Sequence, residues 1–141
     1  MVTTLILPDA LGAQISEQAR AAFPRECCGL IEGVRNGDAV RAVAIHSTHN
    51  VSPRADSFEI DPAAHLRLRR AAREAGRTIV GCYHSHPNGR PSPSPRDLPG
   101  EKDFVWLIAA LDAHGVPSLA AFVADETRWH RIGLELSARA A

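Results

Sequence analysis

Two imidazoles and a carboxylate stand close together in the middle of this sequence. His84 and His86 end the run Gly81-Cys82-Tyr83-His84-Ser85-His86-Pro87, and Asp97 follows after a proline- and serine-rich stretch. Residues two apart in an extended strand point to the same face, so the two rings can converge on one cation through bonds of about 2.0–2.1 Å, with Asp97 as the expected third ligand. Three protein ligands leave one position of a tetrahedron open to water, which is the arrangement of a catalytic zinc and not of a structural one. The charge left uncancelled on a divalent zinc lowers the pKa of a bound water toward about 7, making hydroxide available near neutral pH. Taken alone, a His-x-His pair is also compatible with two satisfied strand histidines. The two-histidine, one-carboxylate set is shared with non-haem iron oxygenases as well.

Amide hydrolysis needs a base that takes a proton from water and an acid that returns it to the leaving nitrogen, and one carboxylate outside the ligand set can do both. The histidine motif supplies no such group. Far upstream, Pro24-Arg25-Glu26-Cys27-Cys28-Gly29 carries Glu26 at the mouth of a strand, where position alone reads as a solvated boundary residue. Taken together, His84, His86, Pro87, Ser94 and Asp97 at this spacing, with Glu26 in its Pro-x-Glu-x-x-Gly setting, resemble the JAMM (MPN-plus) zinc metalloprotease family.

That resemblance implies zinc on His84, His86 and Asp97, Glu26 as general acid and base, and Ser94 as a hydroxyl that helps stabilise the oxyanion. It implies cleavage of an amide or isopeptide bond at the C-terminal tail of a ubiquitin-like protein. Compact bacterial relatives of this kind trim small sulfur-carrier proteins, so the expected partner is a small ubiquitin-like or sulfur-carrier protein with a Gly-Gly tail. Two alternatives remain at this point. One is a non-catalytic MPN-type scaffold, although all three ligands and Glu26 are present. The other is a metal oxygenase, whose usual jelly-roll barrel fits poorly with two helical stretches.

The elements that must position these groups follow from periodicity. Leu5-Ile6-Leu7 reads as a first strand, and Pro8 or Asp9 opens a helix with Leu11, Ile15, Ala19, Ala22 and Phe23 at helical spacing, stopped by Pro24. Cys27–Val34 and Ala39–Ala44 read as a hairpin turned at Asn36-Gly37. A polar loop then leads to Asp61-Pro62, a helix start, whose Ala64, Leu68, Ala71, Ala72 and Ala75 form one face before Gly76. Thr78–Tyr83 is the strand that delivers the histidines; Cys82 shares their face as a buried thiol, and Ser85 points the other way in a structural role. The prolines of Pro87–Arg96 fix backbone angles and predict an ordered loop. Phe104–Leu111, Ser118–Ala124 and Arg128–Leu136 complete the strands, with Trp106 and Trp129 as packing residues and a turn at Asp125-Glu126-Thr127. The expected fold is α/β, a single mixed, largely antiparallel sheet flanked by helices, in one domain over residues 1–141.

Composition excludes more than it selects. Sixteen basic and sixteen acidic side chains give zero net charge, which argues against a polyanionic partner such as nucleic acid. No apolar run approaches a membrane span and the start lacks a secretory pattern, so a soluble, cytoplasmic protein is expected. Three cysteines, two of them adjacent, do not form a disulfide framework.

Overall fold

The structure is a computed structural model that describes residues 1–126 and 128–138. Its elements run β1 (Thr4–Pro8), α1 (Asp9–Ala22), β2 (Cys28–Asn36), β3 (Ala39–Thr48), α2 (Pro62–Glu74), β4 (Thr78–His86), β5 (Val105–Leu111), β6 (Pro117–Ala124) and β7 (Trp129–Ser137). Thr127, placed by the sequence in the last turn, lies outside the described residues. The β2–β3 turn falls on Gly37-Asp38, one residue later than expected, because Asn36 still pairs with Ala39.

The seven strands are ordered β1-β3-β2-β4-β5-β6-β7 and close into a barrel. This corrects the open sheet flanked by helices. β1 pairs in parallel with β3 over Thr4–Ile6 and, on its other edge, with β7 over Thr4–Pro8, so the first and last strands seal what would have been two unpaired edges. Sequence periodicity identifies strands but not their partners. The mixed character holds: β1 with β3, β1 with β7 and β4 with β5 are parallel, and the other neighbours are antiparallel.

The two helices lie on opposite faces of β4. Ile15 and Ala19 of α1 join Leu5, Leu7, Ile31, Tyr83 and Leu107 in the main apolar core, and α1 touches β1, β4, β5, β6 and β7. Phe23 does not share that face: it lies past the helix end and is exposed. Asp61 caps α2 by accepting from the Ala63 N–H, with Pro62 in the first turn. Only one narrow stripe of α2 is buried, with Leu68 and Ala72 packed on Leu30, Ile79 and Cys82, while Ala71 and Ala75 face solvent. No helix among the described residues is long and apolar enough to cross a membrane.

One irregularity fixes which face the histidines take. The β2–β4 register passes from Ile31 opposite Gly81 to Glu32 opposite Ile79, leaving Val80 as an extra residue. Val80 therefore sits in the main core with Tyr83, while Ile79 and Cys82 face α2. Gly81 allows the tight approach of β5, since a Cβ there would lie 2.3 Å from the Val105 carbonyl oxygen.

Candidate metal centre

β4 ends in His84 and His86, both buried, with their side chains on the α2 side in the same alternation as Cys82. The chain then turns sharply. The Gly89 N–H donates to the His86 carbonyl, and Gly89 adopts φ +81 where a Cβ would meet the Leu111 carbonyl oxygen at 2.9 Å. After the prolines, the Asp97 N–H donates to the Ser94 carbonyl, and Asp97 Oδ2 accepts from the Ser94 N–H at 2.8 Å. The loop is ordered by these bonds and returns Asp97 to the histidines.

His84 Nε2 lies 2.9 Å from His86 Nε2, and each lies 3.2 Å from Asp97 Oδ2. His86 Nδ1 donates to the Arg90 carbonyl at 2.8 Å, which holds a proton on Nδ1 and, in the neutral ring, turns the Nε2 lone pair toward His84 and Asp97. His84 Nδ1 has no partner among the described residues, so its Nε2 is likewise free to serve as a ligand atom. Asp97 is ionised. Burial opposes its charge, but hydrogen bonds and charge from His84 and His86 hold its carboxyl well below the usual carboxylate range. A cation could take the place of the protons in this cluster. Tetrahedral bonds of about 2.0–2.1 Å put ligand atoms about 3.3–3.4 Å apart; the two edges to Asp97 at 3.2 Å are close to this and the His84–His86 edge at 2.9 Å is shorter, so the two-imidazole, one-carboxylate donor set fits a divalent transition metal with a small parting of the rings.

Glu26 belongs to the same cluster. It is 6% exposed, so the solvated-boundary reading of its position is corrected: the turn after α1 folds it under the cleft wall. One carboxylate oxygen lies with His84 and His86 ring nitrogens inside a group whose ligand atoms are all within 4.8 Å of one another. Two carboxylates thus compete for the third place. Asp97 makes the closer, hydrogen-bonded contacts, whereas Glu26 Oε1 is buried without a partner. Burial raises the Glu26 pKa from 4.5 to about 7; His86 opposes the rise, and Asp97 and Asp56 add to it.

The remaining site residues take distinct places. The Ser94 Oγ accepts from the Arg96 N–H at 3.2 Å, which leaves its own proton available to donate, and Ser94 lines the cleft with Glu26 and His86. That cleft, of about 630 Å³, runs between the wall of Ala55 and Asp56 and the loop from Pro87 to Arg96; an Arg96–Asp56 ion pair at 3.2 Å joins the two walls. Cys82 is buried beneath, and burial, with the Asp97 charge, holds its thiol neutral. Phe58 stacks on His84 with centroids 4.3 Å apart, and Trp106 meets the same ring edge-on at 5.8 Å. Sequence reading left Trp106 as a packing residue. Neither spacing nor composition signals a ring that lies against a ligand.

A family model described as prokaryotic homologs of the JAB domain matches residues 8–130. The chain belongs to that family. The JAB assignment agrees with the JAMM resemblance carried by the motif. A desampylase of Haloferax volcanii is 33% identical over 134 residues, covering 90% of this chain and 91% of its own length. A Thermus thermophilus protein named "Probable TtuB-protein conjugate cleaving protease" is 32% identical over 122 residues, covering 86% of this chain and 77% of its own. Among solved structures, the solution structure of protein DSY2949 from Desulfitobacterium hafniense superposes with a TM-score of 0.85 at 26% identity, covering 96% of this JAB chain and 94% of its own.

Proposed function

We propose that this JAB protein is a zinc-dependent isopeptidase that hydrolyses the amide at the C-terminal tail of a small ubiquitin-like or sulfur-carrier protein. The observation that carries the reading is the convergence of His84 Nε2, His86 Nε2 and Asp97 Oδ2 within 3.2 Å of one another beside the buried carboxylate of Glu26. The names of the Haloferax and Thermus relatives support the class of substrate.

His84, His86 and Asp97 would hold the zinc, which when bound supplies an activated water and polarises the scissile carbonyl. Asp97, ionised and fixed by the Ser94 N–H, brings the negative charge to the ligand set. Glu26 stands off as the acid and base. With a pKa near the working pH it can accept a proton from water and return it to the leaving nitrogen at little cost in either direction. Ser94, whose Oγ accepts from the Arg96 N–H, has a hydroxyl proton to donate to the oxygen on which negative charge develops. The cleft walls carry Pro87, Pro93 and Pro95 and are joined by the Arg96–Asp56 pair, which suits a slender tail such as Gly-Gly. Because the first and last strands pair with each other, the tail is held by these loops and not by an outer strand of the sheet.

The test is elemental analysis of purified protein combined with mass spectrometry of carrier conjugates. About one zinc per chain is expected, lost in His84→Ala and in Asp97→Ala, with release of the group joined to the carrier's terminal glycine. Unchanged metal in both variants refutes the ligand set. Zinc without cleavage of any Gly-Gly-ended conjugate refutes the activity.

A further inference from the structure

Glu26 Oε1 is buried with no side-chain or backbone hydrogen-bond partner among the described residues, so that oxygen is not held by a bond of its own. The backbone that carries the side chain is held firmly. The β2 ladder begins only at Cys28, which faces Thr48 on one side and His84 on the other, so the peptide unit joining Glu26 to Cys27 precedes the strand. Both polar groups of that unit are nonetheless bonded to side chains from separate elements. The Glu26 carbonyl accepts from Asn50 Nδ2 at 3.0 Å, and the Cys27 N–H donates to Ser85 Oγ at 2.8 Å.

We propose that Ser85 and Asn50 are positioning residues that set the distance of the Glu26 carboxylate from the cation by gripping the two sides of this one peptide plane. The inference rests on the hydrolytic reading above. A peptide unit is planar and includes both flanking Cα atoms, so fixing its carbonyl and its N–H fixes the position of the Glu26 Cα from which the side chain departs. Ser85 is fully buried between the two histidines and points to the opposite face, so the strand that carries the rings also grips the Glu26 segment. A second bond, from the Ser85 N–H to the Cys27 carbonyl at 3.1 Å, locks the register. Asn50 uses its full bonding capacity on backbone: Nδ2 also donates to the Ser57 carbonyl, and Oδ1 accepts from the Ser52 and Glu59 N–H groups. It thereby ties the acid to the loop whose Ala55 and Asp56 form the cleft wall.

A displacement of about 1 Å in a reacting group can cost roughly 100-fold in rate. The test uses zinc-loaded protein and, as probe, a Gly-Gly-ended ubiquitin-fold carrier amide-linked to aminomethylcoumarin. Ser85→Val and Ser85→Thr have nearly the same volume, but only threonine keeps the acceptor oxygen. Ser85→Val is expected to lower kcat about 10- to 100-fold with KM and zinc content within about twofold of wild type, and Ser85→Thr to recover most of that loss. Asn50→Ala is expected to behave like the valine variant. In a Glu26→Gln background each substitution should cost less than about threefold, because the group it positions is gone. Equal losses in both backgrounds overturn the inference, as does loss of zinc in Ser85→Val. Amide exchange at Cys27, followed by NMR without substrate, is expected to be slow in wild type and Ser85→Thr and at least about tenfold faster in Ser85→Val. Fast exchange in wild type overturns the grip whether or not the probe is cleaved. A protected Cys27 amide in a protein that cleaves no amide instead overturns the hydrolytic reading, and the positioning role falls with it.

Discussion

Replacing Glu26 with glutamine should weaken the enzyme and strengthen the metal-free protein, and the second effect has a defined pH dependence. Burial raises the Glu26 pKa from 4.5 to about 7, so between those values the folded protein holds a proton that the unfolded chain releases. Where the folded state binds more protons, stability falls as pH rises. The cost of ionised Glu26 is therefore nearly absent below pH 4.5, grows through the window to pH 7, and is constant above it. A shift of that size at about 1.36 kcal/mol per pKa unit amounts to about 3 kcal/mol at pH 8, most of which accrues between pH 5 and pH 8. Glutamine cannot ionise, but it leaves a buried amide near an oxygen site that already lacks a partner, which costs about 1–2 kcal/mol at every pH. The net result for metal-free Glu26→Gln is a gain of about 1–2 kcal/mol at pH 8 and a loss of about 1 kcal/mol or less at pH 5. Urea unfolding of chelator-treated protein at both pH values measures this directly. Zinc-loaded Glu26→Gln should retain its metal and cleave the carrier amide about 100-fold or more slowly. A stability difference that is the same at pH 5 and pH 8 would refute the reasoning, because it would mean that Glu26 carries no burial-induced shift.

Four further outcomes follow from the geometry. The kcat/KM of the zinc enzyme should fall on acidification as Glu26 takes up a proton and can no longer accept one from water, and Glu26→Gln should lose that limb. Asp97→Asn in metal-free protein should be destabilised by about 2–3 kcal/mol at pH 7; because the Asp97 pKa is depressed, the difference should narrow as pH falls below about 4, read by urea unfolding. Phe58→Ala removes the ring stacked on His84 and should weaken zinc binding about tenfold in a chelator competition while leaving all three ligands in place. Gly89→Ala places a side chain at a positive φ and against the Leu111 carbonyl, and should cost about 1–3 kcal/mol in thermal unfolding.

What the sequence disclosed depended on how local each signal was. The pairing of His84 with His86 is a two-residue periodicity, and the return of Asp97 is a short loop whose prolines restrict the path, so both were legible from spacing. The placement of Glu26 was not. Its position before a strand suggested exposure, and its burial arises only when α1, the 51–57 loop and β4 come together. Phe23 and Ala75 failed in the opposite direction. They continue an apolar helical pattern past the point where the barrel offers a surface to cover them. Barrel closure escaped for a similar reason, since the pairing of Thr4–Pro8 with Gly133–Ser137 joins segments from the two ends of the chain and leaves no local mark.

The extra residue at Val80 shows how one irregularity far from the chemistry can govern it. A strictly alternating β4 would send Ile79 and Tyr83 to one face and Val80, Cys82 and His84 to the other, yet Ile79 packs with Cys82 and Val80 with Tyr83. The bulge thus lets the N-terminal half of β4 satisfy α2 with Ile79 while the C-terminal half keeps both imidazoles on the α2 side. It also sets the register that follows, with Cys28 opposite His84 and Ser85 beneath the Cys27 N–H. Removing the extra residue would shift that register by one position and exchange the faces, turning the imidazoles toward the main core, Tyr83 out of it, and leaving the Ser85 hydroxyl where an imidazole now stands. The spacing of the histidines puts two imidazoles on one face, but the bulge determines that this face is the one that meets Glu26.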